Sequence, residues 1–233
     1  KAFQSIPFPY RRYGIPEEIF VRMLNSVPEP NAILVTSMMT YWYPGVFRAI
    51  ELVKQHFPGV PVLLGGVYAT LCTHHAQVHS QADYVVRESD PARIIRVIDE
   101  ITGNTHPCPP QGGNVQLFDT YPAFDLYDHL DYGCLMTSIG CPYQCTYCAS
   151  NLLCPQFIQR SPDAIFQEFL HLYNDLGVRN VALYDDALLV HFTDHLELFL
   201  QKVIDEGLSC YFHTPNGLHA RYITPGMAEL MFQ

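Results

Sequence analysis

Basic charge is scarce in this sequence. Thirteen Lys and Arg stand against 23 Asp and Glu, a formal net charge of −10. Non-specific nucleic-acid binding draws its affinity from basic side chains that neutralise phosphates, so this balance argues against a nucleic-acid partner. No apolar run reaches the roughly 18 residues that a membrane-spanning helix needs, so no membrane partner is expected. A secretory signal pattern is also missing from the start, which opens on Lys1. The eight cysteines lack the regular spacing of a disulfide framework, and a reducing, cytoplasmic setting fits them. What remains is 48% hydrophobic and 15% charged, enough for a real core in one large or two modest domains.

Three of the cysteines fall together as Cys141-x3-Cys145-x2-Cys148, just after the apolar run Cys134-Leu135-Met136-Thr137-Ser138. Thiolates at this density hold a soft metal centre. Gly140 and Pro142 break regular structure at the entrance, which predicts a loop wrapped around its ligand. Most protein-held cubanes use four cysteines and leave no iron free. Three cysteines leave one corner open, and an open coordination position marks a catalytic centre. A structural zinc site is the bland alternative. It normally asks for a fourth ligand and a second C-x2-C pair; only Cys134 and Cys154 are nearby, and no second pair exists.

This motif, with Tyr147 just before its last cysteine, resembles the signature of the radical S-adenosylmethionine (radical SAM) superfamily. The resemblance implies a [4Fe-4S] cluster on Cys141, Cys145 and Cys148, with S-adenosylmethionine chelated at the open iron. It implies an electron from a reductant such as flavodoxin or ferredoxin, and reductive cleavage to a 5′-deoxyadenosyl radical. By the same resemblance Tyr147 lies near the adenine. Asp185-Asp186 stands where the family carries a Gly-Gly-Glu-like motif that receives the amino group of S-adenosylmethionine; one of the two takes that role, and one aspartate can instead cap the next helix. Asn216 and Arg221 are candidates for the ribose or the methionine carboxylate.

The first half alternates helix and strand. Helices are expected over 16–25, 44–57, 73–79 and 90–102, and strands over 32–38, 61–66 and 83–86. This alternation predicts a doubly wound parallel sheet, and the continuous apolar run Ala32–Met38 predicts a strand buried on both faces. Ligands of such sheets bind beyond the strands' carboxyl ends, here Ser37 to Tyr43, Gly65 to Tyr68, and Arg87 with Glu88. The pattern resembles the flavodoxin-like, Rossmann-type cobalamin-binding domain of one branch of the superfamily. Ser37-Met38-Met39 stands for its S-x-L loop and Gly65-Gly66 for its glycine pair, so the resemblance implies bound cobalamin. Its D-x-H-x-x-G signature is missing, because residues 1–16 hold neither Asp nor His. Cobalamin here then lacks that axial histidine.

Pro107, Pro109, Pro110, Gly112 and Gly113 mark a linker over 103–131, and Tyr121 to Leu126 reads as an anchoring hydrophobic hook. Beyond it, Ser161-Pro162 starts a helix that stops at Gly177, strands are expected over 180–184 and 209–213, and a helix between them starts at Thr193 or Asp194. The resemblance makes this the first half of a radical SAM partial (β/α)6 barrel, with its chemistry at the strands' carboxyl ends. The expected organisation is therefore a domain over 1–102, the linker, and a truncated radical SAM core over 132–233, an internal piece of a longer protein. His191 and His195 are four apart but lack the adjacent Glu of a zinc motif, so helix-cap and surface roles are expected. His74-His75 reads as a helix start, and Cys72, Cys108 and Cys210 as ordinary thiols. The expected function is that of a cobalamin-associated radical SAM enzyme, with methyl transfer as its candidate reaction and an unknown substrate. The alternatives are a radical enzyme whose first domain binds no cobalamin, or an iron–sulfur or zinc protein without turnover.

Overall fold

Parallel strands flanked by amphipathic helices form two separate three-stranded sheets. The computed structural model describes residues 14–87, 91–106 and 120–233. The proline-punctuated start, Glu88, Cys108 and the linker's Pro/Gly cluster lie outside the described residues. By its internal contacts the chain divides into Lys1–Cys108 and Pro109–Gln233.

The first unit runs α1 (Glu17–Leu24), β1 (Ile33–Thr36), α2 (Tyr43–His56), β2 (Val62–Gly65), α3 (Val67–Leu71), α4 (Thr73–His79), β3 (Tyr84–Val85) and α5 (Pro91–Thr102). Its strands lie side by side in sequence order, all parallel, with Ile33 beside Val62 and Leu63 beside Tyr84. Val62 and Leu64 on one face meet Ile50 and Val53 of α2 and Tyr68 and Ala69 of α3, each of them 5% exposed or less. Burial of this stripe drives α2, because its apolar positions recur at helical spacing. One sequence expectation fails here. The run Ala32–Met38 predicts burial on both faces, yet the strand alternates and Leu34 is 58% exposed. Among the described residues β1 has a strand on one side only, and a continuous apolar run cannot show which face lacks a neighbour.

The second unit runs β4 (Gly133–Leu135), β5 (Ser138–Ile139), α6 (Ser150–Leu153), β6 (Ile158–Gln159), α7 (Pro162–Leu170), β7 (Asn180–Leu183), α8 (Leu196–Asp205), β8 (Tyr211–His213) and α9 (Pro225–Phe232). β7 is central, parallel to β4 and to β8, while β5 and β6 make a small antiparallel ladder. Ser161 caps α7 as expected, its hydroxyl accepting the Ala164 N–H at 3.2 Å. Leu135, Val181 and Leu183 from the strands pack with Ile165, Phe169, Phe199 and Leu196 from α7 and α8 into a closed core. Phe124, from the expected hook, packs against the same core. Among the described residues no helix is long and apolar enough to cross a membrane.

Candidate metal centre and strand-end sites

The segment between β5 and β6 carries the three cysteines, and its neck is built before its ligands are. Gly140 has a φ of +75°, and a Cβ there would come within 2.2 Å of the Gln156 carbonyl oxygen. Only glycine lets the outgoing and returning chains come this close, so the break expected at this position is a sealed neck. Within the segment the Cys148 N–H donates to the Cys145 carbonyl at 3.0 Å, which folds the last two cysteines into one turn. Asn151 holds the Tyr143 carbonyl at 3.0 Å from the first turn of α6.

The described cysteines are all free thiols, and Cys141 feels the charges of both Cys145 and Cys148. Burial pushes the Cys141 thiol up. The Ser150 hydroxyl and N–H hold Cys148 below its ordinary value, against some burial. Ser150 Oγ lies 3.2 Å from Cys148 Sγ and 2.9 Å from Asp186 Oδ2. One hydroxyl proton cannot serve both partners, so the Ser150 N–H, 3.4 Å from Sγ, is the donor always free to meet a thiolate. Among the described residues no three His, Cys, Asp or Glu side chains converge to hold a single metal ion. A cubane asks for something else, since each thiolate takes its own iron and the sulfurs stand apart around the cluster. Cys141, Cys145 and Cys148, free and neighbouring at the start of the loop, fit that demand, and Cys154 near its far end is free as well.

The two candidate aspartates part company at the end of β7. Asp185 is 2% exposed. Its oxygens accept the Thr137 N–H at 3.1 Å each, the Thr137 hydroxyl at 2.7 Å and the Ser138 hydroxyl. Three donors thus converge on this one carboxylate, all of them on Oδ1, with the Thr137 N–H shared to Oδ2. Asp185 therefore clamps the chain that enters the cysteine loop. Asp186 is exposed, bonds Ser150, and lies close enough to Cys141 and Cys148 for its charge to work against both thiolates, although the Ser150 bonds still hold Cys148 down. Of the pair, Asp186 is the carboxylate that stands at the cysteines with room for a ligand.

Tyr147 is 91% exposed and its hydroxyl neighbours Cys145. Asn216 gives its amide nitrogen to the Tyr184 carbonyl at 3.0 Å and the Asp185 carbonyl at 3.2 Å, leaving its oxygen for any ligand. Arg221 lies over the Tyr143 ring at 4.9 Å. The sheet face opposite the core opens into a cavity of about 670 Å³ that Asn180, Ala182, Tyr184 and His213 help to line. His213 Nε2 donates to Asn180 Oδ1 at 3.1 Å within it.

In the first unit, Ser37 is buried and its hydroxyl donates to the Met39 carbonyl at 3.3 Å. Met38, Tyr41 and Trp42 beside it are 51–69% exposed, an apolar shelf at the end of β1. Gly66 has a φ of +86°, and a Cβ there would meet Thr36 Oγ1 at 2.6 Å and the Ser37 carbonyl at 2.7 Å. This glycine is required by the chain's own packing, with or without a ligand. A Cβ on Gly65 would meet only the Val86 carbonyl, at 3.9 Å, which leaves open space beside it. Tyr68, 1% exposed, bonds His75 Nδ1 at 2.6 Å, a pairing that the sequence does not announce.

No protein-family model matches the chain. An uncharacterized methyltransferase of Pyrococcus horikoshii is 28% identical over 127 residues, which are 53% of this chain and 24% of that protein. A solved structure of the radical S-adenosylmethionine methyltransferase TsrM from Kitasatospora setae, with cobalamin and a [4Fe-4S] cluster bound, matches at a TM-score of 0.64 and 14% identity. That match covers 82% of this chain and 44% of TsrM. The chain thus spans about a quarter of its curated relative and less than half of its structural neighbour. Mixed α/β architecture with parallel sheets is shared with TsrM, and at 14% identity the likeness is one of fold.

Proposed function

We propose that this chain belongs to a radical SAM enzyme, the first unit a flavodoxin-like cobalamin-binding domain and the second the first half of a partial barrel. Cys141, Cys145 and Cys148 would hold a [4Fe-4S] cluster, and methyl transfer is the candidate reaction. The observation that carries this reading is a loop bearing Cys141, Cys145 and Cys148 as free thiols, sealed at Gly140 and clamped by Asp185, beyond the carboxyl end of a parallel strand. The likeness to TsrM in fold, and the methyltransferase relative, support it.

A cluster bound there supplies one electron for reductive cleavage of S-adenosylmethionine. The chain's own residues do the rest. Asp186 offers a carboxylate to the ligand's ammonium, a charge-assisted contact worth more than a neutral one. Tyr147 presents an exposed ring beside Cys145 on which an adenine can stack. Asn216 keeps only its oxygen for the ligand, so its role is to accept a hydrogen bond from a ribose hydroxyl. Around cobalamin, Met38, Tyr41 and Trp42 form the shelf that a flat macrocycle covers, and the space beside Gly65 admits its nucleotide tail.

Anaerobic reconstitution of the full-length protein tests this. About four irons per chain, an electron paramagnetic resonance signal that changes when S-adenosylmethionine is added, and a corrin absorbance after incubation with cobalamin are expected. Stoichiometric zinc without iron overturns the radical reading. Iron without corrin overturns the cobalamin assignment alone.

A further inference from the structure

His195 lies at the start of α8 yet its side chain accepts no capping bond, and it is 3% exposed. The sequence places it among cap and surface residues; it stands at the N-cap position without a side-chain capping bond, and it is buried. Nε2 lies 3.2 Å from the Thr137 carbonyl, and Nδ1 lies 2.9 Å from Gln159 Nε2. A carbonyl only accepts and an amide NH2 only donates, so one tautomer satisfies both contacts: the proton is on Nε2 and Nδ1 accepts. Gln159 completes the chain. Its second amide hydrogen goes to the Val190 carbonyl at 2.9 Å, and its oxygen accepts from His191 Nδ1 at 2.8 Å. Every polar atom in this relay has a partner of the right kind. Burial holds His195 in its neutral form, against the nearby charge of Asp185.

Thr137 and Gln159 are the two feet of the cysteine loop. Thr137 precedes β5, which runs into Gly140 and Cys141; Gln159 ends β6, which leaves it. The ladder joining them is only two residues on each side, with Ser138 opposite Gln159 and Ile139 opposite Ile158. Such a short ladder is marginal alone. His195 reaches both feet at once from a helix rooted in the core through Leu196 and Phe199.

We propose that His195 is a positioning residue for the cysteine loop, its two ring nitrogens tying the entering strand to the leaving one and so fixing the spread of the three sulfurs. The consequence for a cluster rests on the function proposed above; the tie between the feet does not.

The experiment uses the full-length protein in two states. In the metal-free protein, amide exchange across residues 141–157 is compared for the wild type, His195→Leu, His195→Gln and Gln159→Met. Leu removes both bonds, Met removes the link from the less buried side, and Gln restores a donor towards Thr137 with an acceptor towards Gln159. About tenfold faster exchange in the loop is expected for Leu and Met, with near wild-type protection in Gln and unchanged exchange in α7. In the reconstituted protein, the same two variants should lose iron to a chelator about tenfold faster, and Gln should not. If His195→Leu unfolds outright, Gln159→Met decides. Wild-type loop exchange in a folded Gln159→Met variant overturns the proposal. Failure of the wild type to take up iron sinks the cluster reading and leaves the exchange result to stand by itself.

Discussion

The two units each end a parallel sheet in a candidate site, and they prepare it in opposite ways. At the end of β1 the first unit leaves Met38, Tyr41 and Trp42 exposed, with a buried Ser37 whose hydroxyl bonds within its own turn. At the ends of β4 and β7 the second unit buries Asp185, Thr137, Ser138 and His195 in one connected hydrogen-bond network. The first arrangement is an apolar shelf awaiting cover. The second holds a loop in place before any ligand arrives. Few thiolate donors must meet a cluster at fixed spacing, so preorganisation counts there, whereas a broad shelf recognises a flat ligand by area.

The sharpest way to break the comparison is at the thiols. Replacement of Cys141, Cys145 or Cys148 by Ser should abolish cluster loading, measured as iron per chain after reconstitution, while Cys134→Ser, Cys154→Ser and Cys210→Ser keep it. Next is the buried network. Asp185→Ala strands the Thr137 N–H and two hydroxyls, and should destabilise the second unit by about 3 kcal/mol in urea unfolding. In the first unit, Gly66→Ala should cost about 2 kcal/mol, because its backbone is left-handed and Ser37 stands in the way. Gly65→Ala should leave stability alone and weaken only corrin retention. Asp186→Asn should keep the fold and raise the Kd for S-adenosylmethionine about tenfold, read by titration of the cluster signal.

The smallest expected effect is the pH response, and it separates the units. Burial holds His195 below its ordinary 6.5, so the unfolded chain takes up a proton that the folded one refuses. Stability present above pH 6.5 should therefore fall as pH drops through the folded value, and His195→Gln should flatten that slope. Asp83 in the first unit behaves differently. Burial raises its carboxyl, but the Lys54 ammonium and the Val62 N–H outweigh burial and hold it below 3.8. Its contribution is present above pH 3.8 and lost only as pH falls below that, so amide exchange between pH 7 and 5 should loosen the second unit first.

Much of this was legible from sequence because it is local. Ser161 with Pro162 starts α7, helical spacing gives α2, and the glycine and three cysteines give the loop. What escaped is set by distant residues. Asp185 and Asp186 are chemically identical neighbours, and strand alternation says that they face opposite ways but not which faces inward. His195 is buried by Thr137, 58 positions earlier in the chain, which no local pattern reports. The exposure of Leu34 goes with a β1 that has a strand on one side only among the described residues, and its sequence is equally apolar in either case.

The seam at Gly140 also matters to anyone who would rebuild this protein. At that one point the two passing chains meet through main-chain atoms, so any side chain grown there would wedge the collar apart. A redesign of the loop for another inorganic guest must keep that hydrogen, and must also keep partners for Asp186 and Tyr222, which Ser150 and Tyr143 now reach from within it.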